Sequence, residues 1–383
     1  MEEEKVNIDK FLIDKKAEEN KKALAYKLSV KLKDDEDKLK DVQEPKDLLK
    51  NDYVSIINSG SKYEVFYDED ICKIFELEIQ TIHKELRDII KKYIVAFFMV
   101  TNFGYRQNKG FGSFGVVEID QQKVDYSEEF IKKNIEISHK NYVLISFNEK
   151  KDTKDFISLK LNSLYLFYIM LKSGINQNGY YKKSFLRQYF STPTEKTEIK
   201  KKFFDTGYRE RYQASNSMGL FYRALLGLPA NYRYSKYRGS KPLTIEISSV
   251  KKRITRFKSP LTIKVFENSN YVLIEDIEKD IYETTFRFKV KQTNYDSGKK
   301  IHKMSEKKLQ RNEYSMNETL ELRTPTKEEF NLNDLIKSYV EWFKYNIDIE
   351  ENRYEDIRSK LDILSNSKIE YISVNKDTEK QEG

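Results

Sequence analysis

The chain has 383 residues, with 70 Lys+Arg against 62 Asp+Glu, a formal net charge of +8 and 38% apolar residues. One cysteine, Cys72, excludes a disulfide scaffold and a cysteine-rich zinc site, and three scattered histidines (His83, His139, His302) exclude an HExxH-type cluster, so neither a metal nor a cofactor is expected. The 27 Tyr and 23 Phe exclude disorder throughout, and at roughly 100–200 residues per domain the length fits about two domains.

In chain order, residues 1–50 lack glycine and carry only a thin stripe of Leu24, Leu28, Leu32 and Leu39, which reads as a charged helical arm. Val54 and Ile56, then Tyr63, Val65 and Tyr67, alternate across Asn58-Ser59-Gly60-Ser61 and predict a β-hairpin. From Ile71 to Ile90 the three- and four-residue spacing predicts a long amphipathic helix. A glycine-rich turn over Phe103–Gly115 follows, then a strand at 114–119, a helix at 128–137, a strand at 142–147 and an apolar helix at 156–171. Further on, helices are predicted at 182–189, 195–204 and 218–226, and strands at 243–247, 261–266, 271–274 and 284–290. Helices return at 327–345 and 354–364. The order is neither a regular βαβ repeat nor all-helical, so the expected class is α+β. Its parts are an arm (1–50), a first α+β domain with the glycine loop (51–150), a second with a basic block (151–375) and a polar tail (376–383). The N-terminal stretch has no apolar core, and the longest apolar run, Ile94–Val100, is far below the ~20 residues a spanning helix needs. A cytoplasmic protein without membrane contact is expected.

The loop reads NFGYRQNKGFGSFGV, and Gly110, Gly112 and Gly115 match G-x-G-x-x-G literally. A dinucleotide fingerprint needs a strand before the loop and a helix after it, whereas an amphipathic helix precedes this one. A kinase needs HRD and DFG downstream, and the chain has neither. What remains is physical. Closely spaced glycines let backbone N–H groups approach a ligand, Arg106 and Lys109 add charge, and Tyr105, Phe111 and Phe114 add flat faces suited to a sugar-phosphate backbone. The plain alternative is a tight connection whose phenylalanines are core.

Between Lys182 and Lys264 there are 20 Lys+Arg and 5 Asp+Glu, a local balance of +15, and the rest of the chain balances at −7. Eight of the fifteen arginines fall there: Arg187, Arg209, Arg211, Arg223, Arg233, Arg238, Arg253 and Arg256. Tyrosines interleave them at Tyr208–Tyr212, Tyr222 and Tyr232–Tyr237. Arginine contacts phosphates bidentately, and each base stacked on a ring contributes ~1–3 kcal/mol, so the pattern fits single-stranded RNA. A solvated basic face or an acidic protein partner are the competing readings.

Two segments carry a resemblance. The apolar helix running into F-G-x-R-x-x-K-G-F-G-S-F resembles the glycine-rich loop of the RAMP superfamily, the RNA-binding subunits of CRISPR effector complexes. Gly227-Leu228-Pro229, followed by an Arg/Tyr-rich stretch and Arg253-Ile254-Thr255-Arg256-Phe257-Lys258-Ser259-Pro260-Leu261, is similar to the distal half of the large non-repeated RAMP subunit of Cmr-type (type III-B) complexes. The resemblance implies two ferredoxin-like domains with helical insertions. It also implies a structural subunit contacting guide or target RNA beside other effector subunits. That family opens on a β-strand, where this chain opens on its charged arm. The RNA-binding candidates are Arg106, Lys109, Gly110, Phe111, Gly112, Arg209, Arg211, Arg223, Arg233, Arg238, Arg253, Arg256 and Lys258. The alternative function is a metal-independent guide-processing endoribonuclease with His139 or His83 as general base.

Overall fold

The structure is a computed structural model that describes residues 26–32, 55–59, 62–66, 75–103, 107–110, 112–148, 154–177, 180–190, 194–203, 219–228, 231–234, 243–251, 257–266, 269–290, 318–346 and 355–374. Its elements begin with β1 (Lys27–Leu32), β2 (Ser55–Ser59), β3 (Lys62–Phe66), β4 (Phe75–Gln80), α1 (Lys84–Val100), β5 (Glu118–Ile119), β6 (Gln122–Lys123), α2 (Glu128–Ser138), β7 (Asn141–Ser146) and α3 (Lys154–Lys172). There follow β8 (Ile175–Gln177), β9 (Tyr180–Lys182), α4 (Phe185–Tyr189), α5 (Glu195–Phe203), α6 (Tyr222–Leu225), β10 (Asn231–Tyr234), β11 (Leu243–Ser249), β12 (Leu261–Val265) and β13 (Ser269–Ile274). The last are β14 (Thr285–Val290), β15 (Thr319–Arg323), α7 (Leu332–Asn346), α8 (Glu355–Ser365) and β16 (Lys368–Ser373).

The central sheet has the order β12-β13-β7-β16, every pair antiparallel. It takes one strand from before residue 150 and three from after it. The connections run β7-α3-β12, hairpin to β13, then α7 and α8 to β16. Counted along the chain, its strands therefore lie 2-3-1-4 across the sheet. The second four-stranded sheet, β10-β11-β14-β15, is antiparallel too and grows out of the two long connections.

Side chains of a strand alternate between faces, so a strand apolar at every position has both faces covered. In β7, Val143 and Ile145 join the main core while Tyr142 joins a second cluster; in β13, Val272 and Ile274 face one way and Tyr271 and Leu273 the other. Ile131 and Ile135 of α2 and Met99 of α1 close the second cluster. The main core continues from Leu164 and Phe167 of α3 through Tyr339 and Phe343 of α7 to Phe221, Phe286 and Phe288 at the second sheet. Ser127 starts α2, its hydroxyl accepting from the Phe130 N–H at 3.4 Å.

The structure is a mixed α and β fold with antiparallel sheets, and several predicted elements change within it. The expected helix over Ile71–Ile90 is a strand, β4, followed by a helix that starts only at Lys84. Phe75, Leu77 and Ile79 also alternate at period two, and pairing with β1 (Leu28 opposite Ile79, Val30 opposite Leu77) decides for extended backbone. Within the supposed helical arm, residues 27–32 therefore form a strand; the rest of 1–50 lies outside the described residues, as does the tail from Asn375. The hairpin around Asn58 forms in the expected place. The strand expected at 114–119 shrinks to β5, because Asp120 and Gln121, both at positive φ, turn the chain at once into β6. Strands β10, β15 and β16 have no counterpart among the predicted elements. Among the described residues no helix is long and apolar enough to cross a membrane.

Candidate nucleic-acid interface

The glycine loop is fastened along the outer edge of β12. Asn102, 4% exposed, is its post: Nδ2 donates to the carbonyls of Gln107 and Ile263, both at 2.7 Å, and Oδ1 accepts from Ser113 Oγ at 2.8 Å. The Ile263 N–H donates to the Asn108 carbonyl at 3.3 Å, and Lys109 forms a single parallel bridge to Ile263. The loop thereby covers an edge that would otherwise offer unpaired backbone groups. Lys264, fully buried, donates to the Thr101 and Phe114 carbonyls and to Asn102 Oδ1 at 3.0–3.1 Å. Burial pushes its pKa down to about 7.

Gly110 and Gly112 both have positive φ (+88° and +67°). A Cβ on Gly112 would lie 1.7 Å from the Phe103 carbonyl oxygen, and one on Gly110 would meet Val265, Leu161 and Ile263 at 3.2–3.4 Å. The close approach that these glycines permit is to the protein's own chain.

The outer side of the loop forms one wall of a cleft of about 510 Å³. Gln107, Asn108 and Lys109 line it together with Tyr165, Tyr168 and Lys172 of α3 and with Arg223 and Tyr232. Leu226–Leu228 and Phe257–Ser259 line it as well. These two segments form an antiparallel bridge: the Leu228 N–H donates to the Phe257 carbonyl at 3.0 Å, and the Phe257 N–H returns to Leu228 at 3.4 Å. Gly227, at φ +101°, lets Ser259 come close; a Cβ there would sit 3.1 Å from the Ser259 backbone.

Among the described residues the lining holds four cations, Lys109, Lys172, Arg223 and Lys258, and no carboxylate. Lys109 Nζ lies 4.7 Å from the Tyr165 ring centroid and the Arg223 guanidinium 5.0 Å from that of Tyr232, both within cation–π range. Arg223 is also held by the buried Glu195, Nε to Oε1 at 3.3 Å. Lys172 is half-buried and donates to the Leu226 and Gly227 carbonyls at 2.6 and 2.7 Å; desolvation first, then Arg223 and Lys109, push its pKa well down. Lys258, at the rim, pairs with Glu275 at 2.9 Å.

Of the residues singled out from sequence, the structure thus brings together Lys109, Arg223 and Lys258. Gly110 and Gly112 hold the loop beneath them. Arg233 lies on β10 opposite Thr244. Arg106, Phe111, Arg209, Arg211, Arg238, Arg253 and Arg256 lie outside the described residues. His83 stands immediately before α1 rather than within the helix, and His139 follows α2, its Nδ1 2.9 Å from Ser138 Oγ; neither lines the cleft. Sequence reasoning does not reach Lys172 or Tyr165. A lysine closing an apolar helix before Ser173-Gly174 reads as an ordinary helix end.

Family models match nearly the whole chain. The family model for the Cmr1 N-terminal domain matches residues 1–175, and that for the Cmr1 C-terminal domain matches residues 181–363. No curated protein and no solved structure matches the chain.

Proposed function

The chain belongs to the Cmr1 family, RAMP proteins of type III-B CRISPR effector complexes, and from that premise we propose that it is an RNA-binding structural subunit which contacts guide or target RNA beside other effector subunits in the cytoplasm. The observation that carries the proposal is the cleft: among the described residues, four cations and no carboxylate, set among tyrosines, at the meeting point of the glycine loop, Leu226–Leu228 and Phe257–Ser259. Cations supply phosphate contacts and rings supply stacking faces, the combination single-stranded RNA needs.

The sheet supports the same reading. A β-α-β-β-α-β path with strands lying 2-3-1-4, all antiparallel, is the connectivity of a ferredoxin-like unit. We read β7 to β16 as one such unit with the second sheet inserted into it. The endoribonuclease reading needs an acid–base group at the reacting 2′-OH, and neither His83 nor His139 lines the cleft, so binding is the function proposed.

The test is fluorescence anisotropy of the full chain with a labelled single-stranded RNA. The double variant Lys109→Glu, Lys258→Glu is expected to bind at least tenfold more weakly with an unchanged melting temperature. Equal affinity in variant and parent would overturn the assignment.

A further inference from the structure

We propose that the outer face of α1 is a docking surface for the chain's own first 25 residues, with Leu24, Ala17 and Ile13 seated on Leu86, Tyr93 and Phe97. The proposal stands apart from the RNA reading.

Helix α1 is apolar on two opposite faces. At 3.6 residues per turn Val95 and Met99 share one face, and both pack into the second core cluster. Leu86, Ile90, Tyr93 and Phe97 follow at steps of four, three and four along the roughly opposite face. Leu86 is buried and Ile90 half-buried, but Tyr93 is 44% and Phe97 49% exposed. Ile82, which continues the row four residues before Leu86, is 92% exposed. A contiguous apolar row open to water marks a surface that something covers, and a row of this period fits a second helix.

The course of the chain names the cover. Strand β1 pairs antiparallel with β4, Lys27 opposite Gln80. Gln80 stands four residues before Lys84, the first residue of α1, so the segment that precedes Tyr26 is joined at the Leu86 end of the row. As a helix its 25 residues span about 38 Å, against about 26 Å for the 17 residues of α1, long enough to follow the whole row. Attachment to β1 also gives this segment a high effective concentration at α1, an advantage that a second copy lacks.

The segment carries the same row in reverse. Ile13, Ala17 and Leu24 are separated by four and seven positions, and Leu86, Tyr93 and Phe97 by seven and four. Laid antiparallel, two helices with these spacings bring Leu24 to Leu86, Ala17 to Tyr93 and Ile13 to Phe97. The small Ala17 meets the bulky Tyr93, the alternation of sizes that lets facing helices interdigitate. Over residues 13–24, Lys15, Glu18, Glu19 and Lys22 fall on the far face of such a helix, where water reaches them.

The experiment is cross-linking of the full chain with a short bis-maleimide, in a Cys72→Ser background. The pair Ala17→Cys, Tyr93→Cys is expected to link within one chain at least tenfold faster than Lys15→Cys, Tyr93→Cys, whose first cysteine is turned half a helix away. Equal rates for the two pairs, or no link in either, overturn the proposal. Links that join two chains assign the face to a second copy and overturn it as well. A second measurement leaves α1 untouched. Ile13→Asp is expected to raise the fluorescence of a dye that binds exposed apolar surface and to lower the melting temperature, while Lys15→Asp changes neither. An Ile13→Asp protein that matches the parent in both readings overturns the assignment.

Discussion

The Asn108 side-chain amide donates to the Ser259 carbonyl at 2.9 Å, across 151 positions of chain. That contact ties the glycine loop to the Ser-Pro-Leu segment, and Ser259 in turn lies against Gly227. The two stretches of sequence that carry the family resemblance are therefore parts of one cleft. Its rigidity depends on a few close backbone approaches.

Gly112→Ala is expected to destabilise the protein. Positive φ at a residue with a Cβ costs about 1–3 kcal/mol, and the 1.7 Å approach to Phe103 would force the loop off its post as well. A fall in melting temperature of roughly 5 °C or more is expected by calorimetry. An unchanged transition would show that the loop is not fastened as described.

Gly227→Ala separates the Leu228–Phe257 bridge from the rest. The neighbours it crowds are backbone atoms of Ser259, which cannot swing aside as a side chain can. Faster amide exchange at Leu228 and Phe257 is expected, with exchange in β7 and β13 unaltered. If protection at Leu228 survives, the bridge does not depend on Gly227.

Arg223→Met should be costly through Glu195, whose side chain is 2% exposed. Removing one partner of a buried pair leaves an uncompensated charge, at about 3–5 kcal/mol. The double variant Arg223→Met, Glu195→Gln is expected to recover much of that loss. Chemical denaturation of the parent, both single variants and the double variant gives the coupling, and simple additivity would refute it.

Lys264 gives a pH dependence with a definite sign. Its pKa is about 7 in the fold against 10.5 when exposed, so between these values the unfolded chain binds more protons than the folded one. Stability from this group therefore rises with pH across that window, by up to about 1.4 kcal/mol per pH unit, and is flat below it. Lys264→Met should be less stable at every pH, since three acceptors lose their donor, but its profile between pH 7 and 10 should be flatter than the parent's. Parallel profiles would show that the ammonium keeps its ordinary pKa.

RNA affinity should fall with salt. Single strands release roughly 0.7 counterion per neutralised phosphate, so four cleft cations predict a slope of log K against log salt near about −3. An affinity independent of salt would remove the electrostatic account.

Much of this is legible in the amino-acid sequence alone. The runs of β7 and β13 announce strands because both of their faces are apolar, and the stripe of α3 announces a helix because its contacts are local. The charge balance over Lys182–Lys264 and the close spacing of Gly110 and Gly112 are properties of the chain itself, whereas their left-handed φ is seen only in the fold. Where two periods fit the same residues, as at Phe75–Gln80, the choice belongs to a partner strand more than forty positions away. The short strands β10, β15 and β16 likewise exist through their neighbours. The cleft is the furthest case. Its cations come from the loop, α3, α6 and the segment before β12, and no spacing along the chain brings Lys172 to Arg223 or Lys109 to Tyr165. Long-range strand pairing and the burial of one shared core set those distances, because the energies that fix them arise between segments and are carried by none of them alone.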